Sequence, residues 1–221
     1  MAAILSARRP CQHAGMRIGI IGTGRIGATL AELLTRAGHD VTVANSRGRA
    51  AVADLVAELG PRATAGSAAE AAAAGDVVVL AIPFVAYRDL PAAELAGKIV
   101  VDANNYYPAR DGQFPELDDG STTSSEVIAA ALSGARVVKA FNTVYYVHLR
   151  DDGRPTGTPG RRAIPIAGDD PDAKEVVAGL LDDIGFDAFD AGPLAAGRRL
   201  EPGSPVYNVP LTRDEMAAAL A

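Results

Sequence analysis

Residues 17–27 read Arg17-Ile18-Gly19-Ile20-Ile21-Gly22-Thr23-Gly24-Arg25-Ile26-Gly27. The first five make a short, β-branched apolar run, the mark of a buried strand, and Gly22, Gly24 and Gly27 follow at the spacing G-x-G-x-x-G. Beyond them Ile26, Leu30, Leu33, Leu34 and Ala37 fall on one helical face, and Gly38 supplies the left-handed residue that stops the helix. Alone, three glycines say little, since glycines gather in turns for backbone reasons. Between a strand and a helix they meet the context that dinucleotide binding requires. Gly22 permits the tight turn, Gly24 lets the backbone approach a pyrophosphate, Gly27 lets helix and strand pack closely, and the free N–H groups of the helix start hold the anion.

Working outward, strand and helix patterns alternate. Asp40 to Ala44 reads as a second strand, and Val52, Leu55, Val56 and Leu59 line a helix that Gly60-Pro61 stops. Ser67 and Glu70 have capping-box spacing ahead of an alanine-rich helix, and Asp76 to Ile82 is a near-continuous apolar strand of the kind covered on both faces. Lys98 to Asp102 and Arg136 to Phe141 are further strands, separated by a helix that Thr123 and Glu126 cap. Ala163 to Ala167 is strand-like, Asp170-Pro171 opens a helix carrying Val176, Val177, Leu180, Leu181 and Ile184, and Phe186 to Asp190 is a last strand. Thr212 and Glu215 cap a short terminal helix. The polar stretches 106–122 and 151–161 read as loops beside a site. The fold class expected is α/β, a doubly wound parallel sheet of the Rossmann type with a short C-terminal α/β extension. Ligands of that architecture lie at the carboxyl ends of the strands.

The chain has 221 residues, against about 150 for an average domain. One dinucleotide-binding domain over 16–221, with 155–221 as its extension, is expected, preceded by a loose tail over 1–15. A formal charge of -6 has the wrong sign for holding a phosphate backbone, so nucleic acid is not an expected partner. The longest apolar run, Val77 to Ile82, is far short of the roughly 18 residues that cross a bilayer, and no membrane partner is expected. The lone cysteine, Cys11, forms no internal disulfide, and His13, His39 and His148 lie too far apart in sequence for a zinc set. With no secretory leader in the first fifteen residues, a cytoplasmic location is expected and no metal.

The choice between the nicotinamide cofactors falls at the end of the second strand. NAD needs an acid there for its ribose hydroxyls, whereas this chain has Ala44-Asn45-Ser46-Arg47, with Arg49 beyond. Ser46 and Arg47 offer the hydroxyl and guanidinium that a 2′-phosphate needs, and Arg25 adds positive charge on the same side; the alternative is that Arg47 and Arg49 are simply solvated. Three other carboxyl ends, Ile82-Pro83-Phe84, Asp102-Ala103-Asn104-Asn105-Tyr106-Tyr107 and Lys139-Ala140-Phe141-Asn142-Thr143, are expected to converge on the nicotinamide half. Ile82 and Pro83 can cover a ring face, and Asn104, Asn142 and Thr143 can bond ribose or carboxamide. Each has a plainer alternative: a turn at Asn104-Asn105, a core role for Phe141, a solvated strand end for Lys139. No G-x-S-x-G and no paired carboxylates can be placed, so no catalytic residue is assigned. A bound heterocycle such as a flavin suits that constraint, because hydride transfer between flat rings relies on positioning.

The segments Met16 to Asn45, Ser46-Arg47, Ala81-Ile82-Pro83-Phe84, Ile166 to Asp170 and Asp190 to Leu194 together resemble the NADPH-dependent reductases of the deazaflavin coenzyme F420. The resemblance implies that Thr23, Gly24, Arg25 and Ile26 hold the pyrophosphate and Ser46 with Arg47 the 2′-phosphate. It also implies that Ile82, Ala103 and Ala140 surround the nicotinamide, that Gly192-Pro193-Leu194 borders the deazaflavin pocket, and that the protein is a homodimer. Lys139 to Thr143 is also similar to the NADPH domain of the six-transmembrane ferric reductases, which reduce an ordinary flavin. The expected function is hydride transfer between NADPH and a small-molecule acceptor, F420 or a flavin. The alternatives are an NADPH-dependent reductase of an imine or carbonyl, and an NADP(H)-sensing module without turnover.

Overall fold

A computed structural model describes residues 15–221. Its strands are β1 (Arg17–Ile21), β2 (Asp40–Ala44), β3 (Ala63–Ala65), β4 (Val77–Leu80), β5 (Ile99–Asp102), β6 (Arg136–Lys139), β7 (Ala163–Gly168) and β8 (Asp187–Asp190). The helices are α1 (Arg25–Arg36), α2 (Ala53–Leu59), α3 (Ala68–Ala74), α4 (Ala92–Leu95), α5 (Pro108–Asp111), α6 (Pro115–Asp118), α7 (Ser124–Ala131), α8 (Tyr146–Asp151), α9 (Pro171–Asp183) and α10 (Arg213–Ala219). Single 3-10 segments cover Arg49–Val52, Phe84–Asp89 and Leu194–Leu200. Cys11 and most of the expected tail lie outside the described residues.

The strands form one sheet in the order β3-β2-β1-β4-β5-β6-β7-β8. The first six are parallel, and the order reverses between β1 and β4, which leaves a crevice above their carboxyl ends. Successive side chains go to opposite layers. Ile18, Ile20, Val77, Val79 and Val101 join Leu30 and Leu34 of α1 and Val177 and Leu181 of α9. Ile21, Val78, Leu80 and Val100 join Ala71 of α3, Leu95 of α4 and Ile128 of α7. With both faces covered, β4 is buried along its whole length, which is why it reads as an unbroken apolar run.

Several features depart from the sequence expectation, β4 among them, which spans only Val77–Leu80 of the expected Asp76 to Ile82. β3 was not anticipated: Ala-Thr-Ala carries no apolar alternation, and register with Val41 to Val43 of β2 makes it a strand. β6 ends at Lys139, two residues early, because Phe141 sits at φ 66, a conformation no strand continues. β7 enters antiparallel to β6 through Val138↔Gly168 and Lys139↔Ala167 alone, and β8 then runs parallel to β7. A parallel neighbour would need a crossover helix over the sheet. The only helix between β6 and β7, α8, packs on α1 instead. A third apolar cluster, including Ala167, Leu200, Val206 and Met216, carries the chain from β8 back across β7 to α10. No helix among the described residues is long and apolar enough to cross a membrane.

Candidate functional site

The glycine turn follows β1 directly and α1 starts at Arg25. Gly22 has φ +103, and a Cβ built on it would meet the Ala81 carbonyl oxygen at 2.2 Å. A Cβ on Gly27 would meet the Gly22 carbonyl oxygen at 1.9 Å. Both glycines are therefore demanded by the fold itself. Gly24 differs: its backbone is extended, with φ -70 and ψ -170, and a Cβ there would touch nothing within 4 Å. The space above it is a cradle that a side chain would fill.

That cradle opens into a cavity of about 530 Å³ whose lining includes Gly22, Thr23, Gly24, Asn45, Ser46 and Arg47. Asn45 ties the two loops together. Its Nδ2 donates to Thr23 Oγ1 at 3.0 Å, and its Oδ1 accepts from the Arg47 N–H at 2.9 Å. Among the described residues the Arg47 guanidinium has no partner. Arg49, by contrast, is held by the Glu70 carboxylate and the Ala65 carbonyl. The two arginines thus part: Arg47 faces the cavity and Arg49 is structural. Ala68, Asp89 and Leu90 also line this cavity, and the sequence reading passed over them.

A second cavity, about 280 Å³, shares Gly24, Ala81, Ile82 and Pro83 with the first and continues to Arg25, Ile26, Ala103, Asn104, Asn105, Tyr107 and Arg110. Arg25 belongs here and not beside Ser46; its guanidinium lies 4.9 Å from the Tyr146 ring centre. Arg25 is absent from the lining of the cavity that holds Ser46 and Arg47. Asn104 is buried, and its Oδ1 accepts from the Ile82 N–H at 2.8 Å. Its Nδ2, equally buried, has no partner among the described residues. An unmet donor costs about 1–3 kcal/mol, so the protein alone leaves this group unsatisfied beside the cavity.

Not every expected residue reaches the groove. Ala140 and Phe141 are buried in the core against the α1 layer and line neither cavity, the positive φ of Phe141 turning the chain inward. Asn142 contacts the site indirectly: its Nδ2 donates to Leu200 O at 2.6 Å and Asn105 Oδ1 at 3.1 Å. Thr143 is buried and uses its carbonyl for the Asn208 N–H. The Gly192-Pro193-Leu194 turn lies elsewhere. Leu194 lines a cavity with Ala135 and Arg136 at the amino end of β6, because β7, and β8 parallel to it, run against β6 and bring the chain out there. What returns to the site is the segment beyond it, Leu200 to Tyr207.

Sequence reading also missed two groups. Tyr107 and Tyr207 share a hydroxyl–hydroxyl hydrogen bond of 2.6 Å, and burial together with that bond pushes the Tyr207 phenol above its ordinary value. Lys139, for which a solvated strand end was the plainer alternative, is fully buried. Its Nζ lies 3.4 Å from Asp102 Oδ2 and 2.9 Å from Ser125 Oγ. Their ladder positions offered a signal, since Asp102 and Lys139 end adjacent strands as direct partners in otherwise apolar sequence.

A larger cavity, about 890 Å³, is lined by Leu33, Arg36 and Ala37 of the last turn of α1 and by residues around Asp182. It lies away from the Gly22–Gly27 turn and is lined by none of the residues expected to bind the cofactor.

Fold and groove define a doubly wound protein with a glycine turn and a cavity at the carboxyl ends of its strands. Residues 17–106 match the family described as NADP oxidoreductase, coenzyme F420-dependent. A hypothetical protein of Sinorhizobium meliloti, SMa0349, is 34% identical with a TM-score of 0.77, covering 90% of this chain and 96% of its own. A structure assigned as an F420-dependent NADP-reductase, from Arthrobacter sp. FB24, is 31% identical with a TM-score of 0.72, covering 83% and 88%. YjhV of Escherichia coli K12 is 42% identical over 53 residues, 24% of this chain; that stretch spans only 39% of YjhV. The chain belongs to the coenzyme F420-dependent NADP oxidoreductase family. It is an NADP-dependent oxidoreductase.

Proposed function

We propose that this chain transfers a hydride between NADPH and a flat heterocyclic acceptor, a deazaflavin such as coenzyme F420 or a flavin. The observation that carries the acceptor class is the lining of the cavity at the Asn104 end. Gly24, Arg25, Ile26, Ala81, Ile82, Pro83, Ala103, Asn104, Asn105, Tyr107 and Arg110 include no Asp, Glu or His. Such a wall suits an acceptor that draws little proton transfer from carboxylate or imidazole.

Bound NADPH would supply the hydride, the accompanying proton coming from solvent. In this reading the backbone from Gly22 to Gly27 holds the pyrophosphate at the start of α1, and Gly24 permits its close approach. Ser46 and Arg47 hold the 2′-phosphate. Ile82, Pro83 and Ala103 cover the nicotinamide end and exclude water, and the unmet Asn104 Nδ2 donates to an oxygen there. Ala140, Phe141 and Asn142 back this wall from the core side. A homodimer, resting on the family resemblance, and the cytoplasmic location expected from the sequence belong to the same proposal.

A second reading, reduction of an imine or carbonyl, is favoured by one observation: the Tyr107–Tyr207 hydroxyl pair, whose Tyr107 lines the same cavity, is a proton source. NADPH oxidation followed by absorbance with deazaflavin, FMN, FAD, a cyclic imine and an aldehyde separates the two. Turnover with a deazaflavin or flavin, retained in Tyr107→Phe, is the expected result. Turnover with imine or aldehyde alone, lost in Tyr107→Phe, selects the second reading. Tight NADPH binding with no acceptor turned over replaces both with a sensing module.

A further inference from the structure

Asp102 and Lys139 are fully buried, and burying an ion pair does not by itself stabilise a fold; an apolar pair of like volume serves as well. Their hydrogen bonds show a narrower use, because they converge on the backbone of one residue, Asn104. Asp102 Oδ1 accepts from the Asn104 N–H at 3.0 Å, and Lys139 Nζ donates to the Asn104 carbonyl at 3.3 Å. The remaining capacity of both groups goes to the start of α7. Ser125 Oγ donates to Asp102 Oδ2 at 2.6 Å, and Lys139 Nζ donates to Ser124 Oγ at 3.3 Å and Ser125 Oγ at 2.9 Å. The lid over the pair is Gly197, where a Cβ would lie 3.0 Å from Lys139 Cδ.

We propose that Asp102 and Lys139 are positioning residues that grip the Asn104 backbone from both sides and so fix its side-chain amide at the nicotinamide end of the cofactor. The proposal rests on the reading of that end given above. With N–H and C=O both held, and Oδ1 held by Ile82 N–H, the orientation of Asn104 Nδ2 is set before any ligand arrives. Pre-set donors bind without spending affinity on ordering.

The test compares NADPH with 2′-phosphoadenosine 5′-diphosphate, which lacks the nicotinamide and its ribose. Lys139→Met removes the donor to Asn104 at similar volume. Because it strands a buried carboxylate, Lys139→Met/Asp102→Asn is made beside it, keeping an acceptor for the Asn104 N–H without net charge. Melting curves identify the folded variants, and calorimetry measures both ligands. Folded variants are expected to bind NADPH roughly three- to tenfold more weakly and the truncated ligand as the unmodified protein does. In an Asn104→Ala background the loss from Lys139→Met should vanish. Equal loss for both ligands, no loss in a folded variant, or full additivity with Asn104→Ala would overturn the proposal. If Asn104→Ala itself leaves NADPH binding unchanged, the reading of the nicotinamide end fails and takes the proposal with it. If Asn104→Ala weakens NADPH binding and the Lys139 variants do not, the proposal alone fails.

Discussion

Gly22, Gly24 and Gly27 share one motif for different physical reasons, and the difference is measurable. Gly24→Val should melt close to the unmodified protein, since its dihedrals suit an ordinary residue and its Cβ meets open space. Its affinity for NADPH should be lost, and calorimetry showing near-normal binding would place the pyrophosphate elsewhere. Arg47 is the second residue with a separable role. Its guanidinium faces the cavity without a protein partner, and a charge-assisted contact of about 1.5–3 kcal/mol corresponds to about one to two decades of affinity. Arg47→Ala should therefore lower NADPH affinity by that factor and leave NADH almost untouched. Equal affinities for the two cofactors in the unmodified protein would remove Arg47 from the site. The glycine and Ser46-Arg47 features were legible because each depends on local residue type. Lys139 was not, because a lysine in sequence reads as solvated until the fold shows what surrounds it.

At the scale of elements, what could be read was whatever a few neighbouring residues decide. The capping boxes at Ser67–Glu70, Thr123–Glu126 and Thr212–Glu215 all form with reciprocal hydrogen bonds, and Asp170 caps α9 ahead of Pro171. Strand ends and directions were less accessible. Nothing in Ala163 to Ala167 encodes that β7 runs against β6, since apolar alternation is the same read in either direction. That reversal displaced the Gly192-Pro193-Leu194 turn to the amino end of β6 and brought Leu200 and Tyr207 to the site instead. Short helices within 106–122 were read as loop. Proline at the first turn of α5 and α6 was the available signal there.

For the whole molecule, the acidic balance of the sequence sets a pH response. Hydrogen bonds from Arg17 hold the Asp76 carboxyl below its usual range, those from Arg150 do so for Asp151, and N–H groups at the helix caps lower Glu70 and Glu215. Burial pushes Asp111 up, but the Arg110 guanidinium and the Tyr107 N–H outweigh it and leave that group lowered as well. A carboxyl lowered in the folded state adds stability that is present above its unfolded value, about 4, and is lost as pH falls through the folded value. Urea midpoints should accordingly drop as the pH is taken from about 4 towards 2. A midpoint that rises over that range would contradict the assignment.

The sheet also limits how the molecule can meet copies of itself. Its outer strands are Ala63–Ala65 and Asp187–Asp190, too short to offer more than a few free backbone groups. The second carries a carboxylate at each end, Asp187 paired with Arg161 and Asp190 with Lys174. Exposed edges of that kind are poor templates for another strand. Aggregation by sheet extension is thus disfavoured at both margins.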